Sequence, residues 1–388
     1  MNVLHSIRVI DLGNFITAPY AAMLLAELGA DVVKVERPGT GDPFRSFEGG
    51  LYSPHFQSYN RHKRSLALDY SKPEGLEILH KLVSNADVVI LNNRPGVSEK
   101  LGVDYDRLHG VNQRLVYCSI TGFGFDGPYA SRPAYDNVGQ TLSGWLSLFH
   151  DGSDPRVAGP AVSDALTGLF ACLGILAALF DREKSGVGRR VDTSMLEATM
   201  AFGAEPIGQY LATGQAPTQY SRGATSQAYL LECRDGKRIG LQLSSPNKFW
   251  ESLAKAIERP DFLQKYPDRR ARISRYEDIA KELAGIFRKR NRDEWMQVLE
   301  ANDVPFAPER RVNELFDDPQ VRHLNLLFKS LHGVHGEVRG MRRPLRFDGE
   351  REAQLRPPPD LGEHTDEVLQ ELGISVDRRK DLRGRALI

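Results

Sequence analysis

Short runs rich in β-branched residues alternate with helical segments through the first third of the chain, and this alternation limits the fold more than any other feature. The runs Ile7–Leu12, Asp31–Glu36, Asp87–Leu91 and Leu115–Ile120 have strand length and strand composition. Between the first two lies Pro19–Glu27, apolar on most faces. Ahead of the third, Ser71, Pro73 and Glu74 give a helix start signal, a capping-box pattern with proline in the first turn. The order β-α-β-α-β-α-β predicts right-handed crossovers and an α/β fold with a doubly wound, mostly parallel sheet. Ligands in such a fold gather at the carboxyl ends of the strands.

At 388 residues the chain is too long for one core to be the first expectation. From about Gln227 to Arg322 the pattern changes to a smaller α+β lobe. Gln227–Cys233 and Arg238–Leu243 flank Arg-Asp-Gly-Lys, a hairpin turn, and two helix starts follow, Ser274 with Glu277 and Asn291 with Glu294. Near the end, Pro357-Pro358-Pro359 precedes an amphipathic helix, Thr365–Leu372, stopped by Gly373.

With 51 basic and 51 acidic residues, the chain has no global field to draw in nucleic acid or an anionic membrane. Its three cysteines, Cys118, Cys172 and Cys233, are far apart and form no CxxC pair, so neither a disulfide scaffold nor a cysteine-based zinc site is expected. The amino terminus lacks the ordered regions of a signal peptide, and the expected location is the cytoplasm. The longest uncharged apolar run, Ala165–Phe180, would span roughly 24 Å as a helix, short of a hydrocarbon layer of about 30 Å. It reads as a buried helix.

Gly122-Phe-Gly124-Phe-Asp-Gly127 matches the dinucleotide pattern GxGxxG, but Pro128 and Pro133 follow, and the motif ends the fourth predicted strand instead of opening a helix after the first. Its glycines are expected to shape a loop that lets backbone approach a ligand or another loop. The ten histidines form no HExxH, and His332 and His335 have no acidic neighbours in sequence, so no metal site is expected. Asp164 stands just before the long apolar run, where a helix begins. It can serve as an N-cap, or, beside free backbone N–H groups that would stabilise an oxyanion, as a nucleophile. Arg37, Arg45, Lys63 and Arg64 fall in loops near predicted strand ends, where together they could hold phosphates.

Ordered landmarks run through the whole chain: VIDLGNFITAPYAAMLLAELGADVVKVERPGTGDPFR (9 to 45), NRHKRSLALD (60 to 69), ITGFGFDGPYASRPAYDNVGQTLSG (120 to 144), GPAVSDALTGLFACLGILAAL (159 to 179), GVGRRVDTSMLEA (186 to 198), VPFAP (304 to 308) and LGEHTDEVLQELG (361 to 373). In these the chain resembles the class III CoA-transferase family, which contains formyl-CoA transferase and the carnitine CoA-transferases. The resemblance implies an interlocked homodimer, with a Rossmann-like large lobe from residues 1–220 and 326–388 and a small lobe from 221–325. It also places the family's nucleophilic aspartate on Asp164.

The implied activity is transfer of CoA from an acyl-CoA to a free carboxylic acid through an aspartyl acyl anhydride and an aspartyl-CoA thioester. CoA enters as substrate, and no permanently bound cofactor or metal is implied. The resemblance carries CoA contacts onto Arg37, onto Leu68, Asp69, Tyr70 and Ser71, onto Asn92, Asn93 and Arg94, and onto Lys100, Pro133 and Ala134. Leu68 would pack on adenine, and Arg37 and Lys100 would meet phosphates. Ile16, Thr17, Tyr135 and Asp136 would line the acyl pocket. Two departures weaken the match to formyl and oxalate specificity. Ile16 replaces a glutamine, and Gly223-Ala-Thr-Ser-Gln227, expected as a stiffer loop, replaces a run of glycines.

Two other readings stay open from the sequence. The α-methylacyl-CoA racemases share the resemblance but carry a histidine where Tyr135 stands, and a phenol with an ordinary pKa near ~10 is a poor replacement base. A catalytically silent CoA-binding dimer is the third.

Overall fold

A computed structural model describes residues 2–149, 159–245, 247–351 and 355–388. Six parallel strands form its main sheet: β1 (Arg8–Asp11), β2 (Asp31–Glu36), β3 (Arg64–Ala67), β4 (Val88–Leu91), β5 (Val116–Thr121) and β6 (Arg190–Ser194), in the order β3-β2-β1-β4-β5-β6. Helices accompany them, among them α1 (Thr17–Glu27), α2 (Pro54–Asn60), α3 (Pro73–Val83), α4 (Val97–Leu101), α5 (Tyr105–Val111), α6 (Asp136–Leu142), α7 (Val162–Ser185), α8 (Met195–Phe202) and two C-terminal helices, Thr365–Glu371 and Val376–Gly384.

Strand residues alternate between two cores, as the two-residue period of a strand requires. Ile10, Val33 and Val89 face α3 and the C-terminal helices. Their chain neighbours Val9, Val32 and Val88 face α1 and α7. Burial on both faces is why these strands read as continuous apolar runs.

β3 and β6 escape a reading by periodicity. β3 is only Arg-Ser-Leu-Ala, and its polar half is buried because each group has a partner. Arg64 pairs with Asp31, Glu367 and Glu371, and Ser65 Oγ donates to Glu36 at 2.7 Å. β6 is a largely exposed edge strand, Arg-Val-Asp-Thr-Ser. The capping box expected at Ser71 is absent. Lys72 occupies the N-cap of α3, and Ser71 Oγ instead donates to Asp69 Oδ1 at 2.5 Å. Pro73 does open the helix.

The long apolar run is only partly a core element. α7 extends over 24 residues because polar residues at both ends continue the helix. Ala171, Cys172, Ile175 and Leu179 pack into the sheet core, whereas Leu173 and Phe180 are 61% and 69% exposed. Among the described residues, one helix is long and apolar enough to cross a membrane by length and composition, and it is α7. Its buried face belongs to the sheet.

The chain separates into two compact units. The first is built from the chain up to Trp145, the stretch that carries α7, β6 and α8 as far as Ala204, and Arg322–Ile388. The second is built on Glu205–Val321. In it β7 (Ala228–Glu232) and β8 (Arg238–Gln242) form the expected hairpin, with β9 (Phe306–Pro308) antiparallel beside β8. Asn291 and Glu294 form the expected capping box. Ser274 does not: it closes the preceding helix by donating to Ala271 O at 3.0 Å. Of the segment Gly223–Gln227, expected as a loop, Gly223–Ser226 lie in a short helix, Ser221–Ser226, where Thr225 and Ser226 turn their hydroxyls back onto carbonyls one turn earlier, and Gln227 caps it in a left-handed conformation. In the first unit the C-terminal helix Thr365–Glu371 seats Val368 and Leu369 in the core.

Arg45, Lys63 and Arg64 are not free to bind phosphate. Lys63 Nζ lies 2.8 Å from Asp11 Oδ2, and Lys34 Nζ lies 3.0 Å from Asp42 Oδ2 and 2.7 Å from Gly13 O. Arg45 forks onto Glu36 at 2.7 and 2.8 Å. All six side chains are buried. Burial pushes the Lys63 ammonium down to about 8 against the attraction of Asp11. Removing one member leaves buried charge uncompensated, so Asp11→Ala is expected to cost about 3–5 kcal/mol. Asp181→Ala, which removes an exposed pair with Arg189, is expected to leave the unfolding midpoint almost unchanged. Urea unfolding midpoints of the two variants check the contrast.

Candidate active site

The strand order reverses between β1 and β4, and the loops that leave those strands diverge there, the place where open α/β sheets bind ligands. Asn92 staples the two loops. Its amide donates to Asn14 O at 2.7 Å and to Thr17 Oγ1 at 3.0 Å, and its carbonyl oxygen accepts from Asn14 N–H at 3.0 Å. Phe15 takes a left-handed backbone conformation, φ 62°, and its N–H donates to Asp42 Oδ1 at 3.1 Å. The Phe15 ring meets Tyr135 edge-on at 5.9 Å.

These loops border a cavity of about 210 Å³ that also takes in Asp164. Of the residues expected at the site, Ile16, Thr17, Asn92, Asn93, Arg94, Ala134, Tyr135 and Asp164 line it. Phe15, Arg132 and Met195 line it too and were not anticipated. Phe15 had a usable signal, since it directly follows Gly13-Asn14 at the end of the first predicted strand. Met195 had none, because the strand before it was not legible.

Gly122 explains how Ala134 comes so close. A Cβ at position 122 would stand 2.3 Å from the Ala134 Cβ. Gly124 and Gly127 have φ of 105° and 87°, so the GxGxxG segment turns as a loop and opens no helix.

Asp164 is not an N-cap. That position belongs to Ala161, and Asp164 is the third helical residue of α7. Its backbone N–H donates to Asp136 Oδ1 at 3.1 Å, so this N–H is already occupied and is not a free oxyanion donor. Asp136 opens α6, and its other oxygen accepts from Gln140 Nε2. Burial first, and then the Asp136 carboxylate, push the Asp164 carboxyl up to about 7. Tyr59 stands nearby: burial, Asp164, Tyr20 and Asp136 all raise its phenol.

The other expected contacts lie outside the lining of this cavity. Arg37 is exposed immediately after β2, Lys100 is exposed in α4, and Pro133 is exposed. Leu68 is wholly inside the core and has no face to offer adenine. Tyr70 packs against the same core, and Asp69 is engaged with Ser71. Asn93 and Arg94 also border a second cavity, of about 100 Å³, with Tyr105 and Arg190.

His332 and His335 do have acidic neighbours, brought by the C-terminal segment. His335 Nε2 lies 2.7 Å from Asp360 Oδ1, and His332 Nε2 lies 3.8 Å from Asp360 Oδ2 and 3.7 Å from Glu363 Oε2. The Nδ1 of His332 accepts the N–H groups of Val334 and His335, which puts its ring proton on Nε2, facing those carboxylates. His332, His335 and Asp360 bring ligand atoms within 4.8 Å of one another, and the buried His332 Nε2 has no hydrogen-bond partner among the described residues, so the fold assembles a cluster that the spacing in sequence does not reveal.

The profile of CoA-transferase family III matches residues 4–365. The chain belongs to that family. This class III CoA-transferase is 34% identical to a succinyl-CoA:mesaconate CoA-transferase of Haloarcula hispanica, over 97% of this chain and 98% of the other. It is 34% identical to a succinate–glutarate CoA-transferase of Agrobacterium fabrum over 95% of each chain. A CAIB/BAIF family protein from Brucella suis superposes on it with a TM-score of 0.82 at 30% identity, covering 94% of this chain and 98% of that one.

A carboxyl group that is harder to ionise in the folded CoA-transferase than in the unfolded chain lowers stability wherever it is charged. That loss is full above about pH 7 and fades as the pH falls toward the unfolded value near 4. Asp164→Asn is therefore expected to raise stability at pH 8 by a few kcal/mol and to give little gain at pH 4.5. Denaturant unfolding of the two proteins at both pH values measures the difference.

Proposed function

We propose that this CoA-transferase works by covalent catalysis at Asp164, with a dicarboxylic acid among its substrates. The carrying observation is the position of Asp164: a poorly solvated carboxyl in the first turn of α7, inside a cavity at the reversal point of the sheet. An Asp164 oxygen attacks the thioester carbon, the C–S bond breaks, and CoA leaves as thiolate. The thiolate then attacks the aspartyl carbonyl of the anhydride and releases the donor acid. The acceptor carboxylate runs the same two steps in reverse. Each exchange keeps an activated acyl bond, so closeness and exclusion of water do most of the catalytic work. The aromatic wall of Phe15 and Tyr135 supports that exclusion.

CoA is assigned to the carboxyl edge of the sheet, with Arg37, Arg94 and Lys100 as phosphate partners, and it comes and goes as substrate with no resident cofactor in the cycle. A dicarboxylic acid is favoured by two observations. The relatives named above are named for mesaconate, succinate and glutarate. Arg132 lines the cavity stacked over Tyr129 at 3.8 Å, and among the described residues no carboxylate pairs with it. A racemase would need two proton carriers, and among the described residues no histidine lines the cavity.

The proposed assembly is a homodimer. The exposed Leu169, Leu173 and Phe180 on α7 give it an apolar face to cover. The proposed location is the cytoplasm, where the three buried thiols would stay reduced.

Asp164→Ala is expected to abolish CoA exchange between succinyl-CoA and glutarate in a chromatographic assay while CoA binding, measured by calorimetry, persists. Retained exchange would refute the nucleophile. Arg132→Gln is expected to raise KM for glutarate roughly tenfold, the worth of one charge-assisted hydrogen bond, and to leave KM for a monocarboxylate such as butyrate unchanged. Equal effects on both acids would remove Arg132 from acid recognition.

A further inference from the structure

Two carboxylates share the head of α7, and only one of them is used by the covalent steps. Asp136 is the first residue of α6, and both of its oxygens are committed to protein donors. Oδ1 accepts the Asp164 N–H at 3.1 Å, and Oδ2 accepts from Gln140 Nε2. Gln140 is buried, and its Nε2 also donates to Pro160 O at 3.2 Å, which ties α6 to the segment entering α7. Asp136 is therefore held in place beside Asp164, with a backbone amide between them.

We propose that Asp136 is a positioning residue that sets the first turn of α7 and, through its fixed negative charge, destabilises the free Asp164 carboxylate relative to its acylated forms. The inference rests on the reading of Asp164 as the nucleophile. In the free enzyme two half-buried carboxylates of like charge lie close together. When Asp164 attacks the thioester, a C–O bond forms, the C–S bond breaks, and the charge departs on the CoA sulfur, so Asp164 becomes a neutral anhydride. When the thiolate takes the aspartyl carbonyl, a C–S bond forms, the anhydride C–O bond breaks, and the charge leaves on the released acid. Like-charge repulsion from Asp136 is thus relieved in both covalent intermediates and restored only in free enzyme. The same repulsion makes Asp164 a more basic, and therefore stronger, nucleophile once it is ionised. Its raised ionisation, near 7, agrees with this.

The other groups facing Asp164 do not supply a competing charge at neutral pH, apart from the arginines at the rim. Tyr59 comes from α2, with Tyr20 of α1 behind it at 5.7 Å between ring centroids, and both phenols are pushed upward by burial. Tyr135 is the N-cap of α6, and Arg94 and Arg132 line the cavity from the adjoining loops.

Asp136→Asn keeps the acceptor and the shape and removes the charge. The acid limb of kcat/KM for CoA exchange is expected near pH 7 in the unaltered enzyme and at least about one unit lower in the variant. The fraction of enzyme trapped by hydroxylamine at Asp164 during turnover is expected to fall several-fold. Asp136→Ser, which also keeps an acceptor without the charge, is measured in parallel so that the outcome does not hang on the folding of one variant; it is expected to move the limb in the same direction. If the unaltered enzyme is trapped at Asp164 and neither variant moves the limb, the proposal is overturned and the nucleophile stands. If the unaltered enzyme gives no adduct at Asp164, the nucleophile and the role of Asp136 fall together.

Discussion

The structure depends on a set of buried charges placed at the ends of β1 and β2 and just before β3 begins. Lys34 and Lys63 converge on Asp11, Lys34 also meets Asp42, and Arg45 forks onto Glu36. Each ion would be costly to bury alone, and the group is tolerable only because its geometry satisfies nearly every charge at once. That requirement fixes the loops. Asp42 meets Lys34 with one oxygen and accepts the N–H groups of Phe15 and Phe44 with the other. Phe15 is thereby held in a left-handed conformation that a bulky residue seldom adopts. The wall of the cavity is thus a consequence of charge compensation a few residues away.

From that wall the site follows from topology. Strand order places the loops after β1 and β4 side by side, Asn92 joins them, and the glycine-rich segment after β5 brings Ala134 and Tyr135 across. α7 points its first turn at the same space. A carboxylate held there is short of water and faces a second carboxylate, which makes it reluctant to ionise and reactive once it does. The fold alone would not distinguish a transferase from other users of CoA; in the proposed mechanism the chemistry resides in this pair and in the cations around it.

Much of this was legible in the sequence. The β-branched runs marked four of the six sheet strands because burial on both faces leaves an uninterrupted apolar signature. β3 was hidden because its polar residues are buried by pairing with Asp31, Glu36, Glu367 and Glu371, partners as much as 307 positions away that no local pattern reports. The basic residues Arg45, Lys63 and Arg64 looked available for the same reason. Asp164 stands out in the sequence as a residue at a helix start, but of its two alternatives the cap fails, because the helix begins two residues earlier and Ala161 takes that position. Leu68 matched a ligand motif in sequence, yet the packing of the sheet turned it inward. The contact between Asp136 and Asp164 spans 28 positions and joins two helix starts, which only the fold could bring together.

The account's central claim is that acyl groups pass through an anhydride whose bridging oxygen joins substrate to Asp164. The most direct measurement follows that oxygen: turnover of succinyl-CoA with glutarate labelled with oxygen-18 in its carboxylates, followed by digestion and mass spectrometry of the peptide containing Asp164. The account predicts that one labelled oxygen appears in the Asp164 carboxyl after a cycle and stays there when CoA leaves. Transfer of CoA to labelled glutarate with no label in that peptide would mean that the acids exchange CoA without bonding to Asp164, and the claim would be contradicted.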